Sequence, residues 1–176
     1  MVILRHTYTR SRDTMRAALR YYQMRPRGEA EPPRAIFGPD GTLARDEAYR
    51  LLDGHQPSGR YLAHRLMLSP SNDERPEDLR AMTYRAMREL GREKERTLTW
   101  VAVEHRNTDQ PHVHIVLAGG DGPRDLRIER DDHVQMKASA ADYCRMEARI
   151  RGDWEQALAT AGRDDGFHDV RATIER

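Results

Sequence analysis

At 176 residues the chain fits one domain with room for a real hydrophobic core, and its formal net charge of +1 excludes a global basic field. Its single cysteine, Cys144, excludes an internal disulfide framework, and no apolar run approaches the length of a bilayer span. With no hydrophobic secretion segment at the N-terminus, the expectation is a cytoplasmic protein with no membrane partner. Nearly all the cations are arginine, since Lys94 and Lys137 are the only lysines, and arginine suits forked phosphate contacts.

In chain order, the opening MVILRHTYT reads as a first strand. Ser11 or Asp13 can cap a helix running to about Met24, where Pro26 stops it. Residues 26–60 are rich in Gly and Pro and read as a long excursion with a short helix at Leu43 to Leu52. Tyr61 to Ser69 predicts a strand with Leu62, His64, Leu66 and Leu68 on one side. Pro76, Glu77 and Asp78 open a helix with the stripe Leu79, Met82, Ala86, Met87 and Leu90, ended by Gly91. Two strands follow, Trp100 to Glu104 and His112 to Ala118, then a Gly-marked turn into a strand around Leu126 to Glu129. A long helix from about Val134 to Ala161 carries Tyr143, Met146, Ile150, Trp154 and Leu158 on one stripe. Residues 162–176 carry little pattern and are expected to be loosely held. Short turns between successive strands predict an α/β (α+β) fold, a central antiparallel sheet with helices packed on its back.

The chemistry concentrates in WVAVEHRNTDQPHVHIVLAGG. Strand residues alternate sides, so His112 and His114 share one face while Val113, Ile115 and Leu117 fill the other. If the two strands pair, His105 comes beside them, and three converging imidazoles make a divalent-metal site with open positions. Asp109, in the turn, either accepts an N–H from a ligating ring or helps hold the metal, or else caps backbone amides. Imidazole ligands favour a transition ion such as Mn²⁺ over Mg²⁺.

The run H-x-N-T-D-Q-P-H-V-H resembles the third motif of the HUH endonucleases of the DNA relaxase class, the mobilisation nucleases of conjugative plasmids and integrative elements, including the T-DNA border nuclease. LRYYQMR resembles that family's tyrosine motif, HRLMLSPSNDERPEDLRAMTYRAMREL its middle segment, and DLRIERDD the stretch after its histidine strand. The resemblance spans roughly residues 15 to 135. It implies a central antiparallel sheet with an open face carrying one divalent ion, Mn²⁺ or Mg²⁺, with Zn²⁺, Ni²⁺ or Co²⁺ as ions a crystal could hold there. It also implies a tyrosine that attacks a DNA phosphodiester and keeps the 5′-phosphate.

Which tyrosine is a matter of helical spacing. Met15, Ala18, Leu19 and Tyr22 follow the buried stripe, and Tyr21 lies about 100° away. The family's tyrosine is followed by an apolar residue, so Tyr21 is the expected nucleophile and Tyr22 a core residue. The chain departs from the family just afterwards, where Met24, Arg25 and Pro26 replace the usual basic, acidic and glycine residues. Tyr143 is the only tyrosine after the histidines, the order of replication initiators, but it falls on an apolar stripe and lacks their following lysine. Ser69 matches the family's second motif, which touches DNA, and is otherwise a turn serine before Pro70. Arg20, Arg25 and Arg27 either hold phosphates near Tyr21 or are solvated helix-end residues.

The resemblance implies a strand-specific nicking enzyme for single-stranded or hairpin DNA at an origin of transfer, working with accessory DNA-binding proteins and a coupling protein. Family members usually carry a further C-terminal domain; none fits here, so a minimal or excised single nuclease domain over 1–176 is expected. The rivals are an inactive module of the same fold for origin recognition or autoregulation, and a metal hydrolase that uses water.

Overall fold

The computed structural model describes residues 1–24, 32–55, 62–71, 75–106, 108–118 and 126–164. Its elements are β1 (Val2–Thr9), α1 (Arg12–Met24), β2 (Ile36–Gly38), β3 (Gly41–Leu43), α2 (Arg45–Gly54), β4 (Ala63–Pro70), α3 (Leu79–Lys94), β5 (Trp100–His105), β6 (His112–Leu117) and α4 (Arg130–Asp164). The strands form one sheet in the order β1-β4-β6-β5-β2-β3, with every neighbouring pair antiparallel. The expected α+β architecture is therefore present.

Alternation along the strands feeds two cores. Leu66, Leu68, Trp100, Ala102, Val113, Ile115 and Leu117 face α3 and the first half of α4. On the other side Ala63, Val101, Val103, Val116 and Ala118 pack against Met15 and Leu19 of α1 and Ala48 and Leu52 of α2. Burying each such large apolar side chain contributes about 1.5–3 kcal/mol before entropy is counted. The expectation that the helix after the first strand covers the back of the sheet is corrected here: α1 lies on the histidine side. Its Arg16 pairs with Asp53 of α2 at 2.5 Å, and the Tyr49 hydroxyl donates to the Arg16 carbonyl at 3.1 Å.

Local chemistry sets the boundaries. The Thr14 N–H donates to Ser11 Oγ at 3.2 Å, so Ser11 caps α1. Asp78 caps α3 by accepting from the Ala81 N–H at 2.9 Å. Gly91 does not end α3. The helix runs to Lys94 and closes at Glu95, in the left-handed region at φ 51°, with the Arg96 N–H donating back to the Gly91 carbonyl. Gly91 is needed for closeness instead, because a Cβ there would stand 2.9 Å from the Arg96 carbonyl oxygen.

Three further expectations change. The excursion over 26–60 contains the hairpin β2–β3, turned at Gly41 with φ 119°. Residues 126–129 form no strand; Leu126 enters the core instead. The α4 stripe is not buried along its length: Tyr143 packs on the core, whereas Met146, Ile150, Trp154 and Leu158 are exposed. Of the tail over 162–176, α4 takes residues up to Asp164 and the rest lies outside the described residues.

Candidate metal centre

β5 and β6 pair so that His105 stands opposite His112 and Val103 opposite His114. The three histidines thus share the α1–α2 face of the sheet. Their ring centroids form a near-equilateral triangle with sides of 4.9, 4.8 and 4.8 Å. One ring nitrogen from each lies within 4.8 Å of the others, and His112 Nε2 is 3.2 Å from His114 Nε2. Metal–imidazole bonds of about 2.0–2.1 Å set two nitrogens on one ion roughly 3.0–3.4 Å apart. The spacing of His112 and His114 therefore fits a shared ion.

Hydrogen bonds to backbone carbonyls select tautomers suited to such an ion. A carbonyl only accepts, so His105 donates from Nε2 to the Tyr22 carbonyl at 2.8 Å, and its Nδ1 carries the lone pair. His112 donates from Nδ1 to the Gln110 carbonyl at 2.8 Å, leaving its lone pair on Nε2. Pro111 and the turn before it are held by Ser69, whose buried hydroxyl donates to the Pro111 carbonyl at 3.3 Å. Ser69 is thus tied to the histidine turn. Asp109 is exposed in that turn, and the carbonyl of its neighbour Gln110 is what accepts from the His112 ring.

The C-terminal end of α1 arrives at the same place. The Tyr22 ring stacks flat on His114, with centroids 3.9 Å apart and planes 3° from parallel. Tyr22 is half-buried against the α1 core, as its place on the stripe predicts, and Tyr21 is 54% exposed. The Tyr21 ring meets Tyr22 edge-on at 6.2 Å, so it stands one ring further out from the histidines. Gln23 anchors this helix end: its carbonyl and side-chain amide bond the backbone of Arg34, and its Oε1 accepts from Arg45 at 2.6 Å. Arg20 is exposed on α1; Arg25 and Arg27 lie outside the described residues.

Sequence reasoning missed Arg65. It stands on β4 opposite Thr7 and Val116, two residues from Met67, which pairs with His114. That register puts it on the histidine face, where its positive charge acts on the Tyr22 phenol. Burial pushes the Tyr22 phenol above its usual range, and Arg65 partly opposes the shift. The available signal was the odd-numbered set Ala63, Arg65, Met67 and Ser69, which must share a face with Ser69 if β4 is regular.

A second histidine cluster lies on the opposite face. His64 Nε2 donates to the Leu126 carbonyl at 3.0 Å, so its Nδ1 accepts from His6 Nε2 at 2.9 Å. His6 Nδ1 in turn accepts from His133 Nε2 at 3.0 Å. Burial, with His64 and His133 alongside, holds the His6 imidazole down at about 4. These rings form a chain with His6 in its middle, so they do not converge as the first three do. Tyr143 packs into the core on this far side, and burial together with Glu147 pushes its phenol up to about 12.

Comparison with known families gives one result of weight. The family model described as relaxase, MobA/VirD2-like, nuclease domain, matches residues 43–149, more than half of the chain. The match takes in β4, α3, both histidine strands and the first half of α4. No curated protein matches the chain. Among the described residues no helix is long and apolar enough to cross a membrane.

Proposed function

The chain belongs to the MobA/VirD2-like relaxase nuclease domains, and from that premise we propose that it is a metal-dependent enzyme that nicks and rejoins one strand of DNA through a tyrosine. The observation that supports this most is the convergence of His105, His112 and His114 beside the tyrosine-bearing end of α1. A divalent ion held by those three histidines would supply positive charge next to a scissile phosphate. Mn²⁺ suits the all-imidazole donor set, with Mg²⁺ as the alternative.

Tyr21 is the proposed nucleophile. Its ring is exposed, while the Tyr22 ring is occupied in packing on His114. The phenol oxygen attacks phosphorus, the P–O3′ bond breaks, and the 5′-phosphate stays on the tyrosine. The phenol gives up its proton and the leaving 3′-oxygen takes one up, so a phosphodiester is exchanged for a phosphodiester and rejoining needs no ATP. Asp109, exposed beside His112, fits a role at the mouth of the site. Arg20, Arg25 and Arg27 fit phosphate contacts near Tyr21.

The proposed substrate is single-stranded or hairpin DNA at an origin of transfer, with accessory proteins and a coupling protein as partners. The test is a denaturing gel of the full chain with labelled single strands and Mn²⁺. Protein-linked DNA that vanishes in chelator supports the reading. Cleavage that persists unchanged in chelator, or equal binding of random duplex across a salt series, contradicts it.

A further inference from the structure

Arg65 is a half-buried cation on the histidine face that no acid among the described residues claims. Several other arginines are matched: Arg16 with Asp53, Arg80 and Arg106 with Glu104, Arg145 with Asp142. Arg65 has no carboxylate partner among the described residues, and its Nε is buried without a hydrogen-bond acceptor. A half-buried guanidinium in that condition costs free energy, which an anion placed beside it would offset.

The neighbouring hydroxyl completes the arrangement. Arginine only donates, so toward the guanidinium whose charge acts on it the Tyr22 phenol oxygen can only accept. The phenol's own O–H is then left to donate to another group. Because the Tyr22 ring lies flat on His114, the phenol stands next to one of the three histidines. One charged fork and one neutral donor, fixed together next to a metal centre, suit the two non-bridging oxygens of a phosphodiester.

We propose that Arg65 and Tyr22 form a phosphodiester-binding pair, which seats a backbone phosphate of the DNA strand lying across the histidine face. The pair deepens the nuclease reading and rests on it. Arg65 supplies the counter-charge, and Tyr22 supplies a donor and also holds the ligands, through its ring on His114 and its carbonyl on His105.

The experiment uses the full chain with Mn²⁺ and a fluorescent degenerate single-stranded 30-mer, since a phosphate contact carries no sequence information. Arg65→Gln should weaken binding about tenfold and flatten the slope of log affinity against log salt by about 0.7, the loss of one phosphate contact on a single strand. Arg65→Lys keeps the charge without the fork, so it should retain the slope while losing affinity severalfold. Tyr22→Phe should lose affinity severalfold with the slope unchanged, because the lost donor is neutral. Mn²⁺ uptake by calorimetry should stay near wild type in all three, which separates lost phosphate binding from a damaged metal centre. Wild-type affinity and slope in both Arg65→Gln and Tyr22→Phe would overturn the pair, as would loss of Mn²⁺ uptake in step with loss of DNA. Either result would leave the nuclease reading standing, which fails separately if the wild-type chain never links to DNA.

Discussion

Divalent metal should stabilise the folded chain, and His114→Ala should remove that effect. With His112 Nε2 and His114 Nε2 already 3.2 Å apart, little rearrangement is needed to place an ion between them. Mn²⁺ at a hundredfold over its dissociation constant adds about 2.7 kcal/mol to the free energy of unfolding. For a chain of this length that corresponds to a rise in melting temperature of roughly 5–11 °C. His114→Ala cuts the ligand set to two and also removes the ring on which Tyr22 stacks. The stacked pair is worth about 0.5–1.5 kcal/mol, so the metal-free variant should melt roughly 1–6 °C lower. Differential scanning fluorimetry across a Mn²⁺ series measures both numbers. A full metal-dependent rise in His114→Ala would refute the assignment of the site, because an ion bound elsewhere would then be responsible.

Other expectations follow from the same contacts. His6 is held at about 4 against an ordinary 6.5, so the unfolded chain takes up this proton first as pH falls. Stability from this group is whole above about pH 6.5 and is lost as pH falls toward about 4; after screening of a half-exposed ring the loss is roughly 1–2 kcal/mol. Urea unfolding near pH 7.5 and pH 5 should show it, and His6→Gln should flatten that difference; an unchanged profile would remove His6 as its source. Ser69→Ala deletes the bond to the Pro111 carbonyl, costs about 1 kcal/mol and should weaken Mn²⁺ uptake by loosening the turn before His112. Unaltered metal affinity with weakened DNA binding would assign Ser69 to the DNA instead. Gly91→Ala should destabilise by about 1–2 kcal/mol despite alanine's better helix propensity, because its Cβ would press on the Arg96 carbonyl; a raised melting temperature would contradict this.

Much of the site could be read from spacing alone. Period-two alternation put His112 and His114 on one face and Val113, Ile115 and Leu117 in the core, and a tight antiparallel pairing brought His105 opposite His112. The helical stripe through Met15, Leu19 and Tyr22 separated the two tyrosines correctly into half-buried and exposed. What failed did so for physical reasons. The strands β2 and β3 have three residues each, too short for a period to register. Periodicity tells that α1 has an apolar face but not which side of the sheet it seeks. The same limit explains the α4 stripe, whose pattern of Met146, Ile150, Trp154 and Leu158 looks buried although the helix outruns the sheet that could cover it. Arg65 escaped notice because an arginine in a strand reads as solvated until its register places it beside Tyr22.

The central claim, a nick made by Tyr21, is tested most directly by mapping the covalent product. The full chain is incubated with Mn²⁺ and a degenerate pool of single strands, digested, and its peptides are analysed by mass spectrometry. The account predicts a nucleotide 5′-phosphate on Tyr21 and no adduct in Tyr21→Phe, which should still fold and bind because the lost hydroxyl belongs to an exposed ring. An adduct on Tyr22 or Tyr143, or cut strands carrying free 5′-phosphates with no adduct at all, would contradict it.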